Sequence, residues 1–232
     1  MQINEIEVLG TSASFKVYKI SRQHDDMNDT FRQLSNSLDE FGVECELPGL
    51  HDCECQNDII RGYFSLVAPF EVEHLKDGVV TKTLFKKVEN CEFFIIESNM
   101  FISGKPEPGK MLAGQLLGVF NICELRTFDF FDLRKVKRNM AKIKAVVVTN
   151  PKEKEVRRAR LAGHMEDYTG YDIIDPKGHG LESVSGELNT PLGPMTVTVG
   201  RKGSIKLTVK RGMIITTDLL DWIVRNIKMG GE

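Results

Sequence analysis

No apolar run in this chain reaches the roughly 18 residues that a membrane-spanning helix needs. The longest apolar stretches, such as 93–96 and 145–148, are strand-sized. The first residues, Met1-Gln-Ile-Asn-Glu-Ile-Glu7, hold neither a basic n-region nor an apolar core. No secretory leader is therefore expected. Cysteine is sparse and odd in number, at positions 45, 53, 55, 91 and 123. Without an export signal these read as reduced thiols of a cytoplasmic protein rather than as a disulfide framework. Intact catalytic motifs are missing too: there is no nucleophile elbow, and nothing local activates Cys123.

A net charge is also almost absent, −2 with a pI near 6.2, but that balance conceals a segregation. Between Arg134 and Arg160 the chain carries eleven Lys or Arg and only two acids, Glu153 and Glu155. Those 27 residues sum to +9, and the other 205 to −11. Residues 1–80 hold fifteen acids against six bases. A concentrated basic field attracts polyanions whatever the overall charge.

Hydrophobic residues make up 41% and charged residues 28%, the balance of a folded globular chain. Strand patterns open the sequence around Ile3, Ile6 and Val8, and again over 15–20. Met27, Phe31, Leu34, Leu38 and Phe41 recur at helical spacing. An acidic, cysteine-bearing connection follows over 43–58. Strand-like material runs over 59–72, 79–85 and 91–96, with a turn at Lys76-Asp77-Gly78 and links too short for crossover helices. Segment 94–102 and the helical pattern 111–120 echo 207–215 and 218–224, each reading strand, turn, strand, helix.

Leu133, Val136, Met140, Ile143 and Val147 also follow helical spacing, with Asp132 or Asp129 as a cap, and Asn150-Pro151 breaks the run. A second helix is expected over 152–167. Strands are expected over 181–188, 195–199 and 204–209, then a helix over 218–229. These readings predict an α+β protein: mainly antiparallel sheets with packed helices, in two lobes, 1–127 and 128–232. The basic helices 132–167 would open the second lobe, and a repeated strand-turn-strand-helix unit is a candidate.

Gly104-Lys-Pro-Glu-Pro-Gly109-Lys110 has P-loop spacing between a strand and a helix. Yet Met111 stands where Ser or Thr would hold magnesium, and Pro106 and Pro108 delete two amide donors. It reads as a structural loop. Cys45, His51, Cys53 and Cys55 are candidate zinc ligands at unfavourable spacing, since Cys-x-Cys is tighter than the usual knuckle. No cofactor is expected. His164, Asp172, Asp175 and His179 would line a pocket only if the fold brought them together.

The basic segment carries the functional expectation. Arg134, Lys135, Lys137, Arg138, Lys142, Lys144, Arg157, Arg158 and Arg160 are expected to contact phosphates, with Phe128, Phe130 and Phe131 just upstream and mostly core. This predicts a non-enzymatic accessory protein that binds nucleic acid with little sequence preference. The alternative is an interaction subunit that assembles with a protein partner or with itself, offering 204–209 as a pairing edge. Neither reading involves a membrane.

Overall fold

The structure, a computed structural model, describes residues 2–20, 49–56, 59–119, 131–149, 158–163 and 180–229. In chain order these form β1 (Glu5–Val8), β2 (Ser12–Lys19), β3 (Gly49–Gln56), β4 (Ile59–Lys76), β5 (Val79–Ile96) and β6 (Asn99–Gly104). Helix α1 (Pro106–Val119) and helix α2 (Leu133–Asn139) follow. Then come β7 (Lys142–Thr149), β8 (Arg158–Ala162), β9 (Gly180–Thr190), β10 (Gly193–Gly200), β11 (Ser204–Thr208), β12 (Met213–Thr216) and helix α3 (Thr217–Met229). Strands dominate, and the strand pairs within each unit are antiparallel. The protein is thus mostly β, not the balanced α+β arrangement that the sequence suggested. No helix among the described residues is long and apolar enough to cross a membrane.

The basic segment departs furthest from the sequence expectation. Asp132 does cap α2, accepting from the Arg134 amide at 3.0 Å, but the helix stops at Asn139 and Met140 is already extended. Residues 142–149 are strand β7. Ile143, Val147 and the neighbouring valines are β-branched, and stiff χ1 rotors favour a pleated surface once partner strands exist. Part of the second expected helix is strand β8, and residues 150–157 and 164–179 lie outside the described set. The expected connection 43–58 likewise contains β3. The expected helix at 27–41 also lies outside the described residues.

Two compact units divide the chain: Met1–Lys19 with Arg126–Glu232, and Ile20–Leu125. In the first unit the sheet order is β2-β11-β10-β9-β7-β8, and β1 pairs with β12. Residues 5–16 run antiparallel beside 204–216, from Glu5 opposite Thr216 to Lys16 opposite Ser204. The ladder breaks in the middle, where Val209 N–H donates to the Thr11 carbonyl and Gly212 N–H to that of Val8. Gly212 sits there at φ 72°, which a side chain resists.

Alternation along these strands gives one apolar face. Phe15, Val17, Val184, Leu188, Met195, Val197, Val199, Ile205 and Leu207 are buried on it. Helix α2 packs on β9, β10 and α3. Gly186 makes that packing feasible: a Cβ there would stand 2.5 Å from the Lys142 carbonyl and collide with Met140. Helix α3 buries Leu219, Leu220, Ile223, Val224 and Ile227 at the spacing of one helical stripe, about 1.5–3 kcal/mol each. Asn139 ties the helices together by donating to the Asn226 carbonyl at 2.6 Å.

In the second unit the order is β3-β4-β5-β6. Ile60, Phe64, Phe93, Ile95, Met100 and Ile102 share a face with Leu112 and Leu116 of α1 in the core. Gly62 lies among them because a Cβ would sit 2.6 Å from Cys53 Sγ and 2.8 Å from the Phe93 ring. Strands β4 and β5 each run 18 residues, in register from Ile59 opposite Ile96 to Lys76 opposite Val79. Asp77 and Gly78 close the hairpin at φ 53° and 78°. Positive φ at both central residues is the type I′ geometry that matches strand twist, and Asp-Gly suits it. The turn at Lys76-Asp77-Gly78 was legible in the sequence for this reason.

The proposed internal repeat does not persist as structure. In the first copy β5 and β6 form a hairpin beside α1. In the second, β11 pairs with β10 and β2 while β12 pairs with β1, so β11 and β12 are not a hairpin. Strand β11 is an interior strand, and the pairing edge expected at 204–209 is already occupied on both sides.

Candidate functional site

The second face of the first unit's sheet is polar. Strand register decides its membership, because residues directly opposite one another point to the same side. Lys142 and Thr196 flank Glu187; Ala145 and Thr198 flank Ser185; Val147 and Gly200 flank Ser183. Arg158 lies opposite Thr149, and Arg160 opposite Val147. Toward β2, Lys206 faces Ser14, and Ser204 faces Lys16. The turn after β10 adds Arg201 and Lys202.

Two adjoining hollows occupy this face. One, of about 470 Å³, is lined by Ala145, Val147, Arg158, Arg160, Ser183, Ser185 and Thr198. The other, of about 680 Å³, shares Arg158, Ser183 and Thr198 and adds Thr149, Glu182, Arg201, Lys202 and Ser204 among its walls. Hydroxyls and cations therefore alternate over short residues that leave the floor open. Thr198 donates to Ser185 at 2.9 Å, and Lys144 reaches Thr196 at 2.7 Å.

Two carboxylates temper the field among the described residues. Glu182 accepts from Arg158 Nε at 2.8 Å, and Glu187 lies 3.6 Å from Lys144. These pairs are exposed, so each contributes little stability and both cations can exchange partners. Lys16 donates to the Lys202 carbonyl; burial, and then the Lys202 charge, lower its affinity for a proton. An arriving anion would relieve that repulsion.

The nine cations named from the sequence do not form one surface. Lys142, Lys144, Arg158 and Arg160 come to the polar face. Arg134, Lys135, Lys137 and Arg138 belong to α2, which packs on the apolar side against β9 and β10. Arg157 lies outside the described residues, as do Phe128 and Phe130; Phe131 is core. Lys16 joins the face from a distant segment, and Arg201, Lys202 and Lys206 join it from a second basic stretch, 201–211, that holds five Lys or Arg and no acid.

The other motifs resolve into local structure. Gly104-Lys110 makes no loop: β6 ends at Gly104, a single Lys105 follows, and α1 starts at Pro106. Both prolines sit in the first turn, where amide donors are unpaired anyway. Lys110 bonds Glu107 at 2.6 Å. Among the described residues no three His, Cys, Asp or Glu converge on a metal position. Both His51 nitrogens are engaged, Nδ1 with Asp52 at 2.8 Å and Nε2 with Ser65 Oγ at 2.7 Å. Burial, with help from Cys55 and Asp52, pushes the Cys53 thiol up to about 12, the wrong direction for a thiolate ligand. Cys45, His164, Asp172, Asp175 and His179 lie outside the described residues.

Sequence reading missed the Ser65–His51–Asp52 chain, because strand pairing alone unites its members. Its distances suit a nucleophile with a base, but its burial is inverted. Ser65 is 2% exposed, beyond a substrate's reach, and the Asp52 side chain is 76% exposed in water. Hydrolytic triads need the reverse, a reachable hydroxyl and a sheltered carboxylate. Tyr63 stacks on His51 and donates to Glu92, which also accepts two bonds from Arg61. This is a structural polar layer of β3, β4 and β5.

No protein-family model matches the chain, and no curated protein matches it at a significant level.

Proposed function

We propose that this chain binds the phosphate backbone of nucleic acid across the polar sheet face of its first unit. The observation that carries the reading is the convergence there of Lys142, Lys144, Arg158 and Arg160 with Lys16, Arg201, Lys202 and Lys206, among serine and threonine hydroxyls. Alternate residues of a strand stand about 6.6 Å apart, so Arg158 and Arg160 can each meet a separate phosphate. Hydroxyls supply the neutral hydrogen bonds that phosphate and sugar oxygens accept. Among the described residues neither hollow has an aromatic wall on which a base would stack. Recognition would therefore be of backbone charge, with little sequence preference and no reaction.

Fluorescence anisotropy with DNA and RNA oligonucleotides across salt tests this. Affinity should fall steeply from about 50 to 200 mM salt, with a log–log slope of about −0.9 per duplex phosphate contacted. Arg158→Glu with Arg160→Glu should flatten the slope by about two contacts or more. Arg134→Glu with Arg138→Glu, on the opposite side, should change it little. Salt-independent binding, no binding, or an unaltered slope in the first variant would each refute the reading.

A further inference from the structure

Phosphate binding alone leaves two carboxylates of the polar face without a role. Among the described residues Glu182 and Glu187 are the acids of that face, set amid its cations and hydroxyls. Their side chains are 40% and 36% exposed, so an arriving ligand meets them. Exposed ion pairs add little stability. A phosphodiester carries negative charge and no hydrogen-bond donor, so toward it each carboxylate is only a repulsion.

Irregular pairing creates the arrangement. On β9, Ser183 lies opposite Val147 and Leu181 opposite Val148, so Glu182 is the extra residue of a bulge. On β7, Ile143 lies opposite Gly186 and Ala145 opposite Ser185, so Lys144 is the extra residue of a second bulge. A bulge re-aims the side chain that it frees from the ladder. Strict alternation would send Glu182 to the apolar side with buried Val184; instead it is a wall of the larger hollow. Each bulge residue completes a cation–carboxylate couple: Arg158 Nε with Glu182 at 2.8 Å, and Lys144 with Glu187 at 3.6 Å. The two acids are five positions apart on β9. That is roughly 15 Å of strand, so the couples address different nucleotides. Ser183 and Ser185 lie between them on the same face.

We infer that the nucleic acid of this face is RNA, with Glu182 and Glu187 accepting hydrogen bonds from ribose 2′-hydroxyls while Arg158 and Lys144 take neighbouring phosphates. It rests on the phosphate binding proposed above and adds the sugar to it. A ribose–phosphate chain alternates an anion with a hydroxyl that donates, and that hydroxyl distinguishes RNA from DNA at a contact. Cation beside carboxylate is the matching alternation on the protein. Deoxyribose offers the acids no donor, so DNA would leave them opposed to its phosphates. Base amino groups also donate to carboxylates, as cytosine N4 does, but they are common to both nucleic acids.

Fluorescence anisotropy with oligouridine in three sugar forms, ribo, deoxyribo and 2′-O-methyl, at one salt concentration tests it. Uracil has no exocyclic amino group, and 2′-O-methylation keeps the oxygen while removing the donor. The ribo form should bind about fivefold tighter or more than either other form, the gain from charge-assisted hydrogen bonds. Glu182→Ala with Glu187→Ala should remove that preference and tighten the deoxyribo form, with circular dichroism unchanged. Equal affinity of the three forms for the unmodified protein, which needs no variant, overturns the inference and leaves phosphate binding standing. A double variant that tightens all three forms alike does the same. Binding of none of the three overturns both.

Discussion

Replacing Arg61 by Ala should destabilise the second unit by about 3 kcal/mol. Arg61 is 8% exposed, and its Nε and Nη2 donate to one oxygen of Glu92 at 2.9 and 2.6 Å. The Glu92 side chain is 19% exposed. Removing the guanidinium leaves that carboxylate with the Tyr63 hydroxyl at 3.2 Å as its remaining side-chain donor in this cluster. Breaking one partner of a buried pair costs about 3–5 kcal/mol, and residual water access to Glu92 places the loss at the lower end. The guanidinium also sits 5.2 Å over the Phe94 ring, a contact of about 0.5–1 kcal/mol that the truncation removes. For a chain of this size each kcal/mol moves the melting temperature by about 2–4 °C, so a fall of roughly 6–12 °C is expected by circular dichroism. The double variant Arg61→Met with Glu92→Leu should recover most of the loss, because it leaves no unpaired charge. Melting within 2 °C of the unmodified protein for Arg61→Ala, or no recovery in the double variant, would refute the reasoning.

Gly186→Ala should cost about 1–3 kcal/mol in urea titration, since its Cβ meets the Lys142 carbonyl at 2.5 Å, a backbone atom that cannot turn away. Gly114→Ala should instead stabilise by about 0.5–1 kcal/mol, for it lies in α1 with nothing within 4 Å of a new Cβ. Burial pushes the Cys91 thiol up to about 12, partly offset by a hydrogen bond from the Phe64 backbone. Iodoacetamide at pH 8 should therefore leave Cys91 unmodified in the native protein and label it in urea, as peptide mass spectrometry would show; native labelling at the rate of a free thiol would contradict this.

Local chemistry was readable wherever it had one solution. Asp77-Gly78 closes a hairpin because positive φ suits that pair, and of the two acids that could begin a helix, Asp129 and Asp132, Asp132 accepts from the Arg134 amide. The segment after Met140 was not readable. Leu133, Val136, Met140, Ile143 and Val147 satisfy a helical period, but Lys142-Ile143-Lys144-Ala145 alternates and residues 145–148 are a short apolar run whose type periodicity does not fix. Partner strands β8 and β9 broke that tie by offering hydrogen bonds on both sides.

The polar face shows the same division. Charge segregation along the chain marked Lys142, Lys144, Arg158 and Arg160, since ionisation belongs to the residue type. Nothing in the linear order joined them to Lys16, Arg201, Lys202 and Lys206, or set Arg134 and Arg138 on the other side. Strand register made the first decision, because a one-residue step in pairing reverses the face to which every side chain points, and the packing of α2 on β9 and β10 made the second. Residue chemistry thus determined how much charge the molecule holds and where its turns lie, and antiparallel pairing between distant segments decided which charges act together.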